Sequence, residues 1–335
     1  MLRAPEFWQR PGGGFPALIL SPLSALYAGA TRRRVSRPGW RAPVPVICSG
    51  NVTAGGAGKT TVAIDLLVRL QRRGIAAHAL LRGYGGRLRG PVQVDPTAHT
   101  AFDVGDEALL LASVAPTWVC ADRAAAAREA IARGAEAIVM DDGLQNPTLE
   151  KSLSFLVIDG SFGFGNGRII PAGPLREPVA AAAARVQAAI LIGADETGAL
   201  EDLPPGLPVL RAKLLPGPEA KALAGRAVFA FAGIANPRKF FDSLAEAGAI
   251  LVGRETFADH YPYDAHDLRA LLAEAEALHA VPVTTRKDIV RVPPEFRNQV
   301  TVATVALAWE DEAALARLLD PLFPPLGCRR APLPA

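Results

Sequence analysis

Lys59 and Thr60 follow a run of small residues, Thr53, Ala54, Gly55, Gly56, Ala57 and Gly58. Glycine-rich backbone ahead of a Lys-Thr pair suits phosphate. Its N–H groups close around anionic oxygens, the ammonium reaches the β- and γ-phosphates, and the threonine hydroxyl holds Mg²⁺. The usual spacing would put a glycine at position 53, where this chain has Thr53, so Gly55 and Gly56 supply the flexibility instead. The flanks agree with a phosphate cradle. Residues 44–47 read as a buried β-branched strand, and Val62, Leu66, Leu67 and Leu70 share one face of a following helix. A helix N-terminus there adds a favourable field for the anion. An ordinary glycine turn before a helix is the plainer alternative.

A phosphate cradle needs an acid at a neighbouring strand end to complete the Mg²⁺ shell. Residues 137–140 read as a buried strand that runs into Asp141 and Asp142. Successive strand residues face opposite ways. Asp141 therefore takes the metal position, and Asp142 is left for the turn or the substrate. Transfer to an alcohol also needs a group to accept the hydroxyl proton. Asp106, after a glycine at a helix start, and His260, in a loop, are the candidates. Together they would make a good base, because a carboxylate fixes the imidazole tautomer. Spacing alone does not pair them. Tyr84 lies in a glycine turn, residues 82–86, at a strand's carboxyl end, where open α/β sheets place ligands. Residues 163–178 form a long Gly/Pro loop carrying Arg168, Arg176 and Glu177, and ordered loops of that length are usually functional.

The elements that must position these groups alternate. Strands are expected at 75–81, 118–121, 137–140, 155–159 and 188–192, with helices at 108–114 and 123–133 between them. That alternation means a P-loop NTPase-type α/β fold, a doubly wound parallel sheet. A smaller second α/β lobe follows, with strands at 228–233, 281–285 and 301–307 and helices at 237–247, 266–278 and 311–322. Residues 203–208 and 215–218 read as proline-rich connectors. The expected division is an N-terminal segment 1–42, a kinase core 43–215, a C-terminal lobe 216–323 and a frayed tail 324–335.

The chain has 335 residues, half of them hydrophobic, and no repeat of fixed period. Cys48, Cys120 and Cys328 are odd in number and far apart, which excludes a zinc spacing or a disulfide framework. The formal charge of +3 is uneven: residues 1–45 hold seven arginines and one acid, while the remainder has 29 basic and 32 acidic residues. A local anionic partner such as a membrane is expected, and no nucleic acid. Residues 11–31 carry no charge, and Arg32, Arg33 and Arg34 follow at once. As a helix they would span about 30 Å, but Gly12, Gly13, Gly14, Pro16 and Pro22 interrupt the run. The reading is a broken membrane-associated helix that lies on the surface with an arginine collar. A signal peptide or a helix packed on the domain are the alternatives.

Taken together, the chain resembles the tetraacyldisaccharide 4'-kinases of lipid A synthesis, the LpxK family. The matching words are Thr53-Ala-Gly-Gly-Ala-Gly-Lys-Thr60, Arg82-Gly-Tyr-Gly-Gly86, Gly105-Asp-Glu107, Asp141-Asp-Gly-Leu-Gln145, Phe164-Gly-Asn-Gly167, Pro171-Ala-Gly-Pro-Leu-Arg-Glu177, Gly233-Ile-Ala-Asn-Pro237, Asp259-His260 and Lys287-Asp288. The resemblance implies transfer of the γ-phosphate of ATP, with Mg²⁺, to the 4'-hydroxyl of an anionic lipid disaccharide. It implies work at the cytoplasmic face of the inner membrane and an Asp106–His260 dyad. Tyr84, Asp142, Gln145, Arg168, Arg176 and Glu177 are the expected acceptor contacts. Asn146, Thr61 and Ala108 depart from the family pattern, which often has His, Pro and Pro there. The competing class is a regulatory or partitioning P-loop NTPase of the deviant type. Its signature lysine would fall at 54, where this chain has Ala54.

Overall fold

β1, Val46–Gly50, is buried along its whole length, and the rest of the larger lobe is wound about it. The computed structural model describes residues 5–323, so the expected tail 324–335 lies outside the described residues. Before β1 comes one long helix, α1 (Gly14–Val35). After it the chain runs through α2 (Lys59–Arg72), β2 (Ala77–Leu81), β3 (Val92–Gln93), α3 (Ala101–Val104), α4 (Asp106–Ala112) and β4 (Thr117–Val119). Next are α5 (Arg123–Ala132), β5 (Ala137–Asp141), β6 (Leu153–Asp159), α6 (Val179–Ala183), β7 (Ala188–Ile192) and β8 (Val209–Pro216).

The strands from β8 to β4 pair in parallel, in the order β8-β7-β6-β1-β5-β2-β4, with β3 antiparallel at the far edge. The chain first builds outward from β1 on the β5 side, then crosses to β6 on the other. The crevice at such a switch point is where doubly wound sheets bind ligands. Alternation along β1 sends Ile47 to one face, with Leu66, Leu67 and Leu70 of α2, and Val46 and Cys48 to the other, with Ala126, Ala127 and Ala130 of α5.

The smaller lobe consists of α7 (Pro218–Lys221), β9 (Ala227–Ala232), α8 (Pro237–Glu246), β10 (Ile250–Thr256), α9 (Ala265–Ala277), β11 (Val281–Thr285), α10 (Arg286–Ile289) and β12 (Thr301–Ala303). Its parallel sheet has the order β10-β9-β11-β12. The chain then returns. β13 (Val305–Trp309) pairs antiparallel with β8, and α11 (Glu312–Leu319) sets Leu315 and Leu319 into the core around α2. The expected single strand 301–307 is thus split at Thr304, and the C-terminal lobe expected to run to 323 ends near Thr304. The two lobe crossings touch, because Gly217 N–H donates to Thr304 O at 2.8 Å. β8 itself runs through residues partly assigned to connectors. Its alternation of buried Leu210 and Ala212 with exposed Arg211 and Lys213 is that of a half-buried strand.

α1 is continuous, not broken. Pro16 falls in the first turn, where a missing N–H costs nothing, and Pro22 sits inside the helix, where the Ser21 hydroxyl donates to Ala17 O at 2.8 Å. Its inner side is held by Ser24, which donates to Ile169 O at 2.7 Å and accepts from Ala172 N–H at 3.1 Å. Its outer side exposes Phe15 at 74%, Leu18 at 63% and Leu26 at 72%. The helix is long and apolar enough to cross a membrane by length and composition.

Candidate active site

β1 delivers the chain to the loop 51–58, and α2 begins at Lys59. Gly58 caps that helix with φ 83°, and a Cβ there would meet Ile192 Cδ1 at 2.6 Å, so only glycine fits. The loop is pinned from outside. Ala54 N–H donates to Pro174 O at 2.8 Å, Arg176 N–H donates to Val52 O at 2.6 Å, and Thr53 bridges Leu175. That bridge explains the departure at position 53. The chain is in a strand-like pairing there and needs no positive φ, and among the described residues other than glycine only Asp142, His260 and His279 have one.

The Lys59 ammonium lies over its own loop, donating to Gly55 O at 3.3 Å and standing 3.8 Å from Asp142 Oδ1. Asp142, at φ 53° in the turn after β5, also accepts two bonds from Arg176 Nη1, at 2.8 and 2.7 Å. Burial works against the Asp142 charge, but Lys59 and Arg176 outweigh it and hold the carboxyl below its ordinary range. Asp142 is the anion that gathers both cations.

Asp141 ends β5 and accepts from Thr60 Oγ1 at 2.7 Å through Oδ2, while its buried Oδ1 has no hydrogen-bond partner. Burial, reinforced by the Glu107 charge, pushes its carboxyl up to about 7. Burial likewise raises Glu107, against the opposing charges of Lys287 and Lys59. A threonine hydroxyl, an orphaned carboxylate oxygen and a half-buried second acid form a hard oxygen set of the kind Mg²⁺ takes. Glu107 was not among the expected site residues. Its signal was its place directly after Asp106 at a helix start, where neighbours point about 100° apart.

Asp106 and His260 meet. His260 Nδ1 lies 2.7 Å from Asp106 Oδ2, joining α4 of the larger lobe to the loop after β10 of the smaller. An ionised carboxylate can only accept, so Nδ1 donates, and in the neutral imidazole Nε2 then carries the lone pair. Burial opposes the Asp106 charge, but the His260 hydrogen bond and the Lys287 and Arg291 charges outweigh it and hold this carboxyl below its ordinary range. Arg291, almost wholly buried, places Nε 3.9 Å from Asp106 Oδ2 while Nη2 donates to Asp288 at 2.6 Å. His260 has φ 61°, a strained conformation fixed by its N–H bond to Gly233 O at 3.1 Å.

The other expected contacts divide. Tyr84 stands exposed at the mouth of a groove of about 480 Å³ that Arg82 and Arg89 also line. Arg176 stays near the cradle through Asp142. Gln145 and Glu177 instead turn inward: Gln145 Nε2 donates to Asn51 O and Glu177 Oε1, both at 2.9 Å, and Arg185 grips both Glu177 oxygens. They brace the loop 163–178 against the strand ends. Arg168 holds α1, donating to Gly12 O at 3.0 Å and Ser21 Oγ at 3.1 Å. Asn146 shapes a turn, its Oδ1 accepting from Thr148 N–H and Oγ1, both at 3.0 Å.

Comparison with known proteins bears on this arrangement. The family described as Tetraacyldisaccharide-1-P 4'-kinase matches residues 16–323. A tetraacyldisaccharide 4'-kinase of Gluconacetobacter diazotrophicus is 58% identical over 319 residues, covering 95% of this chain and 98% of its own length. One from Rhodospirillum centenum is 56% identical, covering 96% and 97%. The crystal structure of the "apo" form of LpxK from Aquifex aeolicus in complex with ATP superposes with a TM-score of 0.74 at 24% identity, covering 92% of this chain and 99% of that one.

Proposed function

The chain belongs to the tetraacyldisaccharide 4'-kinase family, and from that premise we propose how its residues divide the work. The protein is an ATP-dependent kinase that phosphorylates the 4'-hydroxyl of a tetraacyldisaccharide 1-phosphate in lipid A synthesis. ATP phosphates lie in the loop 53–60, against its N–H groups and the α2 N-terminus. Lys59 binds the β- and γ-phosphates. Thr60 and Asp141, with Glu107, would hold Mg²⁺, which would neutralise phosphate charge. His260 Nε2 takes the proton of the 4'-hydroxyl as its oxygen bonds to the γ-phosphorus. The bond from that phosphorus to the bridging oxygen breaks, ADP leaves, and Asp106 stabilises the imidazolium.

The observation that carries this division is the 2.7 Å contact between Asp106 and His260 across the two lobes, on the same edge as the loop 51–58. The test is incubation with labelled ATP and the lipid disaccharide. The expected product is heavier by one phosphate and carries the label at the 4'-oxygen. Nucleotide hydrolysis without transfer would replace this reading by the regulatory NTPase.

Arg176 passes from Asp142 to an anionic group of the acceptor, because a guanidinium grips phosphate bidentately. Arg176→Ala is expected to raise the KM for the lipid more than that for ATP. Steady-state titration of each substrate checks this, and the reverse order would move Arg176 to the nucleotide side.

α1 and the Arg32–Arg34 collar hold the protein on an anionic leaflet, the cytoplasmic face of the inner membrane. The exposed Phe15, Leu18 and Leu26 support this, with three cations in the last turn. Replacing the three arginines is expected to weaken vesicle binding by about 1 kcal/mol per charge, in a salt-dependent way. Flotation with anionic vesicles measures it. A full-length protein that never floats would overturn the assignment.

A further inference from the structure

Lys287 has no part in the reaction as described, yet its ammonium stands beside the base. Its Nζ lies 3.4 Å from His260 Nε2 and 3.7 Å from Asp259 Oδ1. The helix that carries it, α10, is too short to hold its own shape, so its neighbours do so. Thr285 caps it, its Oγ1 accepting from Asp288 N–H at 3.0 Å. Asp288 is wholly buried and accepts from Gly233 N–H at 2.9 Å, the Tyr263 hydroxyl at 2.9 Å and Arg291 at 2.6 Å. Arg286, on the other side of Lys287, donates to Ser113 Oγ of the larger lobe at 3.0 Å. The position of Lys287 is thus fixed from both flanks, while its own ammonium has only long contacts. A site residue held by locked neighbours is preorganised for a partner.

The partner can be read from the charges around it. Nε2 is the atom that must receive the sugar proton, so it cannot keep an ammonium beside it during the reaction. Glu107 feels Lys287 from the smaller lobe and Lys59 from the larger. Lys287 Nζ itself lies 3.4 Å from His260 Nε2, which places it in the region where the sugar hydroxyl must meet the γ-phosphorus. What passes through that region is the phosphoryl group, whose non-bridging oxygens carry the charge of the transition state.

We propose that Lys287 is a catalytic residue that binds the non-bridging oxygens of the phosphoryl group in transfer, leaving His260 Nε2 to the sugar hydroxyl. No bond to Lys287 forms and it neither gains nor loses a proton. Its ammonium, now 3.7 Å from Asp259 Oδ1, would exchange that long contact for the phosphoryl oxygens. The inference rests on the kinase reading above.

The test uses the full chain, ATP, a tetraacyldisaccharide 1-phosphate, and ADP with aluminium fluoride as a mimic of the transferring phosphoryl group. Lys287→Met is expected to lower kcat by about 10²–10³, the cost of losing one preorganised electrostatic contact. Affinity for MgADP alone is expected to hold, and affinity for the fluoride complex with acceptor to fall by a similar factor. Lys287→Arg, which keeps the charge, is expected to recover part of both. Equal losses for MgADP and for the fluoride complex, or a normal kcat in a folded Lys287→Met enzyme, would overturn the inference and leave the kinase reading standing. If Lys287→Met does not fold, Lys287→Gln, which also removes the charge, decides: a fluoride-complex affinity and kcat both equal to wild type would overturn the inference. A wild-type chain that transfers no phosphate would remove both.

Discussion

His260→Ala is expected to lower kcat by about 10²–10⁴, the usual cost of removing a positioned base, and Asp106→Ala to lose a comparable amount. The double mutant loses little more than either, because residues that act as one unit are far from additive. The expectation follows from the 2.7 Å contact between Nδ1 and Oδ2. Without Asp106 the imidazole is no longer held in the tautomer that frees Nε2. Without His260 the carboxylate has no hydroxyl proton within its own reach. ATP affinity should stay near normal, since neither residue belongs to the loop 53–60. Rapid-quench measurement of the transfer step, with separate nucleotide titration, checks all three variants. Losses that simply multiply would refute the dyad and leave Asp106 as the first residue of α4.

Lys59→Ala is expected to lower turnover at saturating ATP by about 10²–10³, or roughly 3–4 kcal/mol of transition-state stabilisation. The side chain is nearly buried and stands 3.8 Å from Asp142, with Glu107 and Asp141 also within its field. Its removal leaves those acids with less opposing charge, so nucleotide phosphates meet a more negative site as well as a missing partner. A near-normal kcat in this variant, measured with the same lipid acceptor, would remove the loop 53–60 from the phosphate-binding role.

What the chain announces in its order of residues is local. The strand, the glycine turn and the apolar face of α2 lie within one short stretch, so the loop 51–58 and the helix after it could be read directly. Asp141 could be read because a buried strand runs into it. The Asp106–His260 pair is 154 residues apart, and only the family resemblance joined the two. Gln145, Glu177 and Arg168 were expected at the acceptor but face inward or hold α1. A buried polar pair leaves no periodic trace, and nothing in a loop's composition tells which way its charges turn. Glu107 and Lys287 were passed over for the opposite reason, each standing beside a residue with a more obvious role. The split at Thr304 was invisible because the run from Thr301 to Trp309 holds no turn residue, although it serves two different sheets.

The contact between Gly217 and Thr304 has a consequence for how the molecule can be taken apart. Pro216 and Val305 are direct partners in the antiparallel ladder of β13 and β8. The smaller lobe is therefore an insertion between two neighbouring positions of the larger, and a two-residue hairpin turn of the Asn-Gly kind would close the gap it leaves. Cutting the chain after Pro216 is a different operation. It strips β13, Trp309, Leu315 and Leu319 from the core of the larger lobe, which would be left with an open strand edge on β8. Excision keeps the nucleotide half whole, whereas truncation exposes it to aggregation.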